Sequence, residues 1–240
     1  MSVTVAGLPG VRAAIFDFNG TITDDEQLQY EIYAELCDEA LGLRLDRDVY
    51  FTELAGRSDP EIVETLLERT APAGDVVRDR FISERVRRYT ERVRHRPPIR
   101  PGTAALIRAL RGRVPLAVTT GAFRAEVDLI LSAGNLADAF DAIVTIEDVS
   151  AGKPDPEGFA RALDLLNRAR PGDPPDRAAA ATPGSARLEP ADVVVFEDSP
   201  YGIEAAHAAG MRCVAAHLTT EVATAETVVD VLGPELLAGP

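Results

Sequence analysis

Short apolar runs alternate with amphipathic segments along most of the chain. The runs predict buried strands at 11–18, 114–119, 142–146, 192–196 and 213–216. Between them, apolar residues recur every three or four positions and predict helices at 103–111, 123–132, 156–168 and 201–209. Such alternation is typical of a parallel sheet covered by helices. We therefore predict an α/β fold with a doubly wound parallel sheet.

One block between the first two strands has helical periodicity throughout. Helices are predicted at 24–41, from Ser58 onward, and at 74–95, and Glu61 stands three residues after Ser58 in the spacing of a capping box. The prolines at 97 and 98 end the block. We predict a core domain of residues 1–21 and 98–240, and a helical cap domain at 22–97. The stretch 168–190, rich in Pro, Ala and Gly, is predicted to be a mobile surface loop.

Composition narrows the range of partners. The 240 residues are 46% hydrophobic, which is enough for a sizeable core, and the net charge is −14. That charge argues against nonspecific binding to nucleic acid or to anionic membranes. Because no apolar run resembles a signal peptide or a membrane span, we expect a cytoplasmic protein. Cys37 and Cys213 have no metal-binding spacing and are expected to be buried apolar residues. The sequence does not indicate an oligomeric state.

Lysine is almost absent from the chain. Arginine supplies 24 of the 25 basic residues, and Lys153 is the single lysine. Chance is one explanation. The other is a site that requires a compact point charge, which a planar guanidinium cannot replace.

Polar residues follow four of the predicted strands. In open parallel sheets, ligands bind at these carboxyl ends of the strands. Each group alone also fits a turn, a helix cap or a solvated loop. Together they combine carboxylates, which attract Mg²⁺, with hydroxyls and a lysine, which suit phosphate oxygens. Phosphoryl transfer needs both kinds of partner. The residues are Asp17, Asn19 and Thr21; Thr119, Thr120 and Gly121; Asp148, Gly152 and Lys153; and Glu197, Asp198 and Ser199.

Four segments occur in an order that resembles a known family. They are FDFNGT, LAVTTG, GKPDPEGF and VFEDSPYGIEAAHAAGM. The chain resembles the haloacid dehalogenase superfamily, in its phosphatase and β-phosphoglucomutase-like branch with a helical cap. The resemblance covers most of the chain and implies a Rossmann-like core, a Mg²⁺ cofactor and a small phosphorylated metabolite as substrate.

The resemblance also implies roles for individual residues. Asp17 would be the nucleophile that forms an aspartyl-phosphate. Mg²⁺ would be held by Asp17, Asp198 and the backbone carbonyl of Asn19, with Glu197 supporting through water. Lys153 would neutralise Asp17 and hold phosphoryl oxygens.

Other residues would complete the substrate site. Thr119 would hold the phosphoryl oxygens together with Lys153, and Gly20, Thr120 and Gly121 would lie against the substrate. In the predicted cap, the segment GRSDPE resembles the family's substrate-specificity loop. Its Arg57 is the residue there that is best suited to contact an anionic substrate.

Asn19 departs from the family pattern, in which this position is an aspartate. That aspartate donates a proton to the leaving-group oxygen and later accepts one from the attacking water. An amide cannot do so, and general acid–base help is worth about 10²–10⁴-fold. Three explanations stay open: a hydrolase with a modified mechanism, in which Asp24 or Asp25 assists; a weakened enzyme that binds phosphate and regulates; or a substitution introduced to trap a complex. A sugar phosphomutase is a further alternative that Asn19 disfavours.

The sequence therefore predicts an enzyme, a Mg²⁺-dependent phosphohydrolase acting on a small phosphomonoester. The regulatory phosphate-binding protein and the phosphomutase remain its alternatives.

Overall fold

A six-stranded parallel sheet lies at the centre of the computed structural model, which describes residues 2–69, 75–168, 187–217 and 224–237. Most of the predicted surface loop at 168–190 lies outside the described residues. The strand order is β5-β4-β3-β6-β7-β8, and β1 pairs with β2 in a separate antiparallel hairpin. The strands are β1 Val3–Val5, β2 Leu8–Val11, β3 Ala13–Phe16, β4 Leu116–Thr119, β5 Ala142–Val144, β6 Val193–Glu197, β7 Arg212–Ala216 and β8 Thr227–Val229.

The predicted doubly wound sheet is confirmed, with differences at its ends. The first predicted strand is shorter than expected, because Val11 closes the β1–β2 hairpin and only Ala13–Phe16 joins the sheet. The edge strand β8 was not predicted. It has three residues, each at least partly exposed, so it lacks the buried apolar run that marks the other strands.

Helices lie on both sides of the sheet and in one long block between β3 and β4. The helices are α1 Glu26–Leu36, α2 Arg47–Val49, α3 Asp59–Glu68, α4 Asp75–Val93, α5 Pro101–Leu110, α6 Arg124–Ala133, α7 Glu157–Arg168 and α8 Pro200–Ala208. The predicted helix at 24–41 is divided, because α1 passes into a π-helical turn at Cys37–Leu41 that ends at the left-handed Gly42. The predicted capping box at α3 is present, with Glu61 Oε2 accepting from Ser58 N at 3.0 Å and from its Oγ at 2.7 Å.

The chain passes from the sheet into the α1–α4 block and returns from it at neighbouring positions. Thr23 and Ile99 form an antiparallel bridge, so both crossings lie side by side, and α1–α4 lie between them in the sequence. A separate cap domain with limits at 22 and 97 remains a prediction.

Alternate strand residues supply the two layers of the core. On one face, Phe16 stacks on Phe196 with ring centroids 4.5 Å apart, and this layer continues into the α1–α4 block through Phe18. On the other face, Ile15 packs in the layer that contains Phe159 of α7. A sheet buried on both faces explains why every residue of β3 is inaccessible to solvent.

The expectation for the cysteines is met within the described residues. Cys37 and Cys213 are buried free thiols, as predicted. None of the described helices has an apolar stretch of the length that a bilayer requires.

Candidate active site

Three carboxylates meet where β3 and β6 end. Phe16 and Phe196 are partners in the parallel register, so Asp17 and Glu197 follow at the same level, and Asp17 N donates to Phe196 O at 2.9 Å. Asp198 is the next residue after β6. One oxygen atom from each of Asp17, Glu197 and Asp198 lies within 4.8 Å of the others.

Lys153 joins two of these carboxylates. Its Nζ donates to Asp17 Oδ1 and to Glu197 Oε1, each at 2.5 Å. The other Glu197 oxygen, Oε2, accepts from the backbone N–H groups of Asp198 at 3.1 Å and Ser199 at 3.2 Å. Both Glu197 oxygens are therefore occupied, and the geometry makes Glu197 the residue that orients Lys153.

The remaining carboxylate oxygens carry uncompensated negative charge. Burial, followed by the charge of Glu197, raises the pKa of Asp17 to about 7, although Lys153 acts in the opposite direction. Burial and the charges of Asp17 and Glu197 also hold the pKa of Asp198 well above its ordinary value. Asp17 Oδ2 is buried and has no hydrogen-bond partner among the described residues. Oxygen donors with unmatched negative charge are what a hard divalent cation takes, so the donor set fits Mg²⁺.

Two glycines allow the acidic residues to approach the backbone. Gly20 has φ +81°, and a Cβ there would lie 1.9 Å from Asp198 Oδ2. A Cβ on Gly202, in the first turn of α8, would lie 1.8 Å from Glu197 Oε1. Any side chain at either position would displace the carboxylate beside it.

The two threonines that end and follow β4 occupy different environments. Thr120 lines the cleft above the carboxylates together with Gly121, and its Oγ1 accepts from Ala122 N at 3.0 Å. Thr119 does not line that cleft, and its buried Oγ1 has no partner among the described residues. Thr21 lies beside the acidic residues, with its hydroxyl 3.3 Å from Asp198 Oδ1.

Asn19 is held by a carboxylate six residues further along the chain. Its Nδ2 donates to Asp25 Oδ2 at 2.8 Å, and Tyr89 OH donates to the same oxygen. Asp25 Oδ1 accepts from Thr23 Oγ1 at 2.6 Å. Asp25 is 2% exposed and is not on the wall of the cleft, so it has no access to a bound substrate.

Asp24, the other carboxylate expected to assist, points away from the site. Its side chain is 73% exposed and pairs with Arg100 at 2.8 Å. The structure therefore brings neither Asp24 nor Asp25 to the place where a proton would be exchanged with substrate.

A cleft open to solvent lies above the strand ends. Its wall combines residues of the sheet edge with residues of α1, α3 and α4. Sheet-edge residues on the wall include Asp17, Asn19, Thr120, Gly121, Lys153 and Asp198, and residues from the helical block include Glu26, Gln29, Tyr33, Arg57, Asp59 and Arg85.

Sequence reasoning missed Glu26. It opens α1, and Gln29 and Tyr33 follow it at helical spacing on the same wall of the cleft. Polar residues at 26, 29 and 33 were the available signal, since positions three and four apart share a helix face. Glu26 Oε2 is buried without a hydrogen-bond partner among the described residues.

A second group of buried polar and charged side chains lies at the cleft, on the side of the helical block. We call it the roof cluster, and it comprises Gln29, Tyr33, Asp59, Arg85 and Glu126. Arg85 Nη1 lies 3.0 Å from Asp59 Oδ2 and donates to Glu126, and its Nη2 donates to Gln29. Tyr33 OH donates to Asp59. Burial raises the pKa of Glu126 to about 7 despite the opposing charge of Arg85. Glu126 belongs to α6, so the cluster ties the helical block to the layer that covers the sheet.

Arg57 lies on the wall of the cleft. Its guanidinium carbon is 5.4 Å from the ring centre of Tyr201, and its Nη2 lies 3.4 Å from the Tyr201 hydroxyl. Near it, a Cβ on Gly121 would lie 3.1 Å from Ser58 Cα, so the loop before α3 approaches the core closely. Arg57 can therefore reach a ligand in the cleft from the loop side.

The chain is similar to known phosphatases and related hydrolases. The family model described as haloacid dehalogenase-like hydrolase matches residues 11–210. Validoxylamine A 7'-phosphate phosphatase of Streptomyces hygroscopicus subsp. limoneus is 31% identical, and the match covers 94% of each chain. A phosphorylated carbohydrates phosphatase of Thermotoga maritima is 29% identical over 84% of this chain and 83% of its own.

A solved structure gives the same picture of the fold. A mutant of CbbY from Rhodobacter sphaeroides, in complex with xylulose-(1,5)bisphosphate, superposes with a TM-score of 0.75 at 25% identity. The superposition covers 91% of this chain and 93% of that one.

Proposed function

The chain belongs to the haloacid dehalogenase-like hydrolases, and we propose that it hydrolyses a small, hydroxyl-bearing phosphomonoester with Mg²⁺ as cofactor. The observation that carries the proposal is the arrangement of Asp17, Lys153 and Asp198 at the floor of the cleft. It offers a carboxylate nucleophile, one fixed cation and further oxygen donors within a few ångströms, which is the equipment for phosphoryl transfer.

The chain's own residues would act in two steps. Asp17 attacks phosphorus and displaces the alcohol, which leaves a phosphoryl group on the carboxylate. Water then displaces Asp17 and releases phosphate. Lys153 favours the ionised form of Asp17, in opposition to the burial that raises its pKa, and would neutralise the phosphoryl oxygens during transfer. Asp17, Asp198 and the backbone carbonyl of Asn19 would hold Mg²⁺, which supplies positive charge to the phosphoryl group when bound.

Some of the predicted contacts keep the roles expected from the sequence, whereas Glu197, expected to support Mg²⁺ through water, and Thr119, expected to hold the phosphoryl oxygens, take different ones here. Thr120, Gly121 and Gly20 would border the phosphoryl group, and Glu197 would act by fixing Lys153. Thr119 would act from behind the cleft wall rather than on it.

The upper part of the cleft supports a sugar-like substrate. Gln29, Tyr33, Ser58 and Asp59 line it with hydrogen-bonding groups, and Arg57 adds a positive charge. Relatives named for validoxylamine A 7'-phosphate and for phosphorylated carbohydrates agree with that choice. The α1–α4 block would serve as the cap that selects the substrate and excludes water.

Phosphate release from a panel of sugar phosphates with Mg²⁺ tests the proposal. The parent chain should release phosphate, chelation of the metal should stop it, and Asp17→Asn should reduce it to background. Asp24→Asn is the matched control, since it removes an exposed carboxylate from the same loop and should leave the rate unchanged.

Other results would replace this proposal with an alternative. Isomerisation of a sugar phosphate without phosphate release would indicate a phosphomutase. Binding of a phosphorylated ligand with no product over hours, together with activity in Asn19→Asp, would indicate a phosphate-binding protein derived from an enzyme.

A further inference from the structure

The proposed reaction requires a proton at two moments, and the residue at position 19 cannot supply it. The alkoxide that leaves phosphorus must gain a proton, and the water that attacks the aspartyl-phosphate must lose one. Asn19 has an amide, whose Nδ2 is already directed at Asp25. A carboxyl group on the cleft wall with a free oxygen is therefore required from elsewhere.

We propose that Glu26 is the proton carrier of this chain, donating to the leaving alkoxide and then accepting from the attacking water. The inference rests on the proposed phosphohydrolase function. Glu26 lines the same cleft as Asp17, and its Oε2 is buried with no hydrogen-bond partner among the described residues. No neighbour in that part of the chain engages this oxygen, so it remains available to a ligand.

The other carboxyl groups around the cleft are occupied or hold the proposed metal. Asp25 accepts three hydrogen bonds and lies behind the wall, and Asp59 is paired with Arg85 and Tyr33. Asp24 is on the exterior. Asp198 is assigned to Mg²⁺. Glu26 is the remaining acidic residue among those described on the cleft wall.

The surroundings of Glu26 favour a carboxyl group that holds a proton near neutral pH. Burial, then the charges of Asp25 and Asp17, raise its pKa to about 8, while Arg85 acts in the opposite direction. A general acid works best when its pKa lies near the working pH. The titratable and charged groups that face it from the neighbouring elements are Asp17, Asp25, Tyr50, Asp59, Arg85 and Asp198.

The steps balance in atoms and charge. In the first, an Asp17 oxygen bonds to phosphorus, the ester P–O bond breaks, and the Glu26 proton passes to the departing alkoxide oxygen. In the second, a water oxygen bonds to phosphorus and its proton passes to the Glu26 carboxylate. The bond from phosphorus to Asp17 then breaks, and both side chains return to their initial states.

The test compares the parent with Glu26→Gln on two esters, a sugar phosphate and p-nitrophenyl phosphate. Nitrophenolate leaves without a proton, so Glu26→Gln should release about one equivalent of it rapidly and then turn over at least about 100-fold more slowly than the parent. On the sugar phosphate the variant should show no burst and a loss of about 10²–10⁴-fold. Glu31→Gln, on the exposed face of the same helix, should match the parent on both esters.

A rescue variant separates a proton-carrying role from a structural one. The double variant Asn19→Asp with Glu26→Gln places a carboxyl group at position 19 instead of position 26. It should turn over at least about tenfold faster than Glu26→Gln alone. A loss caused by misfolding would affect both esters equally, abolish the burst and resist rescue, and that result would overturn the proposal.

Two further outcomes separate this inference from the proposed function. If the parent hydrolyses the sugar phosphate and Glu26→Gln stays within about threefold of it, Glu26 is not the proton carrier and the phosphohydrolase assignment stands. If the parent releases phosphate from no ester, the proposed function fails and the role of Glu26 fails with it.

Discussion

The acidic cluster at the strand ends and the roof cluster contain similar residues in different arrangements. Each contains one buried cation, Lys153 or Arg85, bound to two carboxylates. In the roof cluster, the guanidinium also donates to Gln29, so both of its Nη groups reach fixed partners, whereas its Nε has none among the described residues. At the strand ends, Asp17 keeps an oxygen without a partner among the described residues, and Asp198 adds a further carboxylate to the group.

The difference indicates which cluster performs chemistry. In the roof cluster Arg85 lies against both carboxylates, Asp59 and Glu126, and a buried ion network of this kind ties elements together. The acidic cluster at the strand ends has three carboxylates against one cation, and an Asp17 oxygen without a partner among the described residues, so a bound metal or ligand with positive charge would stabilise it. The charges of the roof cluster therefore hold α3 and α4 against α6, and the charges at the strand ends fit the proposed phosphoryl transfer.

Removal of the Lys153 charge should have the largest effect on activity. Lys153→Met leaves Asp17 and Glu197 without their cation, and we expect kcat to fall by about 10²–10³-fold, the scale for loss of one electrostatic partner of the transition state. Lys153→Arg should fail as well, since a planar guanidinium does not fit where one nitrogen meets both oxygens. Steady-state kinetics with a sugar phosphate measure the loss, and an active arginine variant would refute the geometric argument.

The matching change in the roof cluster should act on stability. Arg85→Met leaves Asp59 and Glu126 buried without their cation, and we expect the free energy of unfolding to fall by about 3–5 kcal/mol in urea titrations. Addition of Glu126→Gln should restore part of the loss. Arg87→Met on the exposed face of the same helix is the control and should stay within about 1 kcal/mol. An equally small loss for Arg85→Met would show that the roof cluster does not hold the helices together.

Ionisation of Glu26 should make stability depend on pH. Its pKa is raised from 4.5 to about 8 in the folded chain, so the folded state retains a proton that the unfolded state has released. The free energy of unfolding of the parent should fall as the pH rises from 4.5 to 8. In Glu26→Gln the contribution of residue 26 to that fall should be absent. Thermal unfolding without metal should therefore favour the variant by on the order of 5 kcal/mol at pH 9 and by nearly nothing at pH 4.

The matched variant Glu31→Gln, with an exposed side chain on the same helix, should follow the parent across that range. A gap between Glu26→Gln and the parent that does not change with pH would mean that Glu26 stays ionised in the folded chain.

The smallest effect is expected at Arg57, which touches the cleft without belonging to either cluster. Arg57→Ala should raise KM for a sugar phosphate about fivefold, roughly 1 kcal/mol, and leave kcat almost unchanged. Arg87→Ala should change neither parameter, because its glutamate partners at 84 and 91 already neutralise it on the exterior. A fall in kcat equal to the rise in KM would place Arg57 among the groups that act in the transition state.

The fold could be predicted from the sequence because the sheet is buried on both faces. Runs such as 192–196 are apolar at nearly every position, and a parallel strand covered on both sides needs that composition. The β1–β2 hairpin and β8 were missed for the opposite reason. They are short and partly exposed at the margin of the core, and their pairing depends on neighbours that local pattern does not reveal.

The strand-end residues could be located from sequence, because Asp17 and Glu197 stand at the ends of recognisable strands and Lys153 lies in the loop that follows another. The roof cluster could not, since Arg85 and Glu126 are 41 residues apart and meet only through the packing of α4 on α6. Glu26 was missed because Asp24 and Asp25 stand beside it, and sequence alone does not tell which of three adjacent acids faces the cleft. Helix geometry decides: Asp24 faces solvent, Asp25 turns to Asn19 and Tyr89, and Glu26 lines the cleft.

The most direct test of the account is to trap the phosphoryl group on the chain. Glu26→Gln is mixed with p-nitrophenyl phosphate and Mg²⁺, quenched in acid after one turnover, and digested for mass spectrometry. The account predicts one phosphoryl group on the peptide that contains Asp17, accumulated in Glu26→Gln, scarce in the parent and absent once Asp17→Asn is added. Rapid release of nitrophenol with no phosphoryl group on that peptide would contradict it.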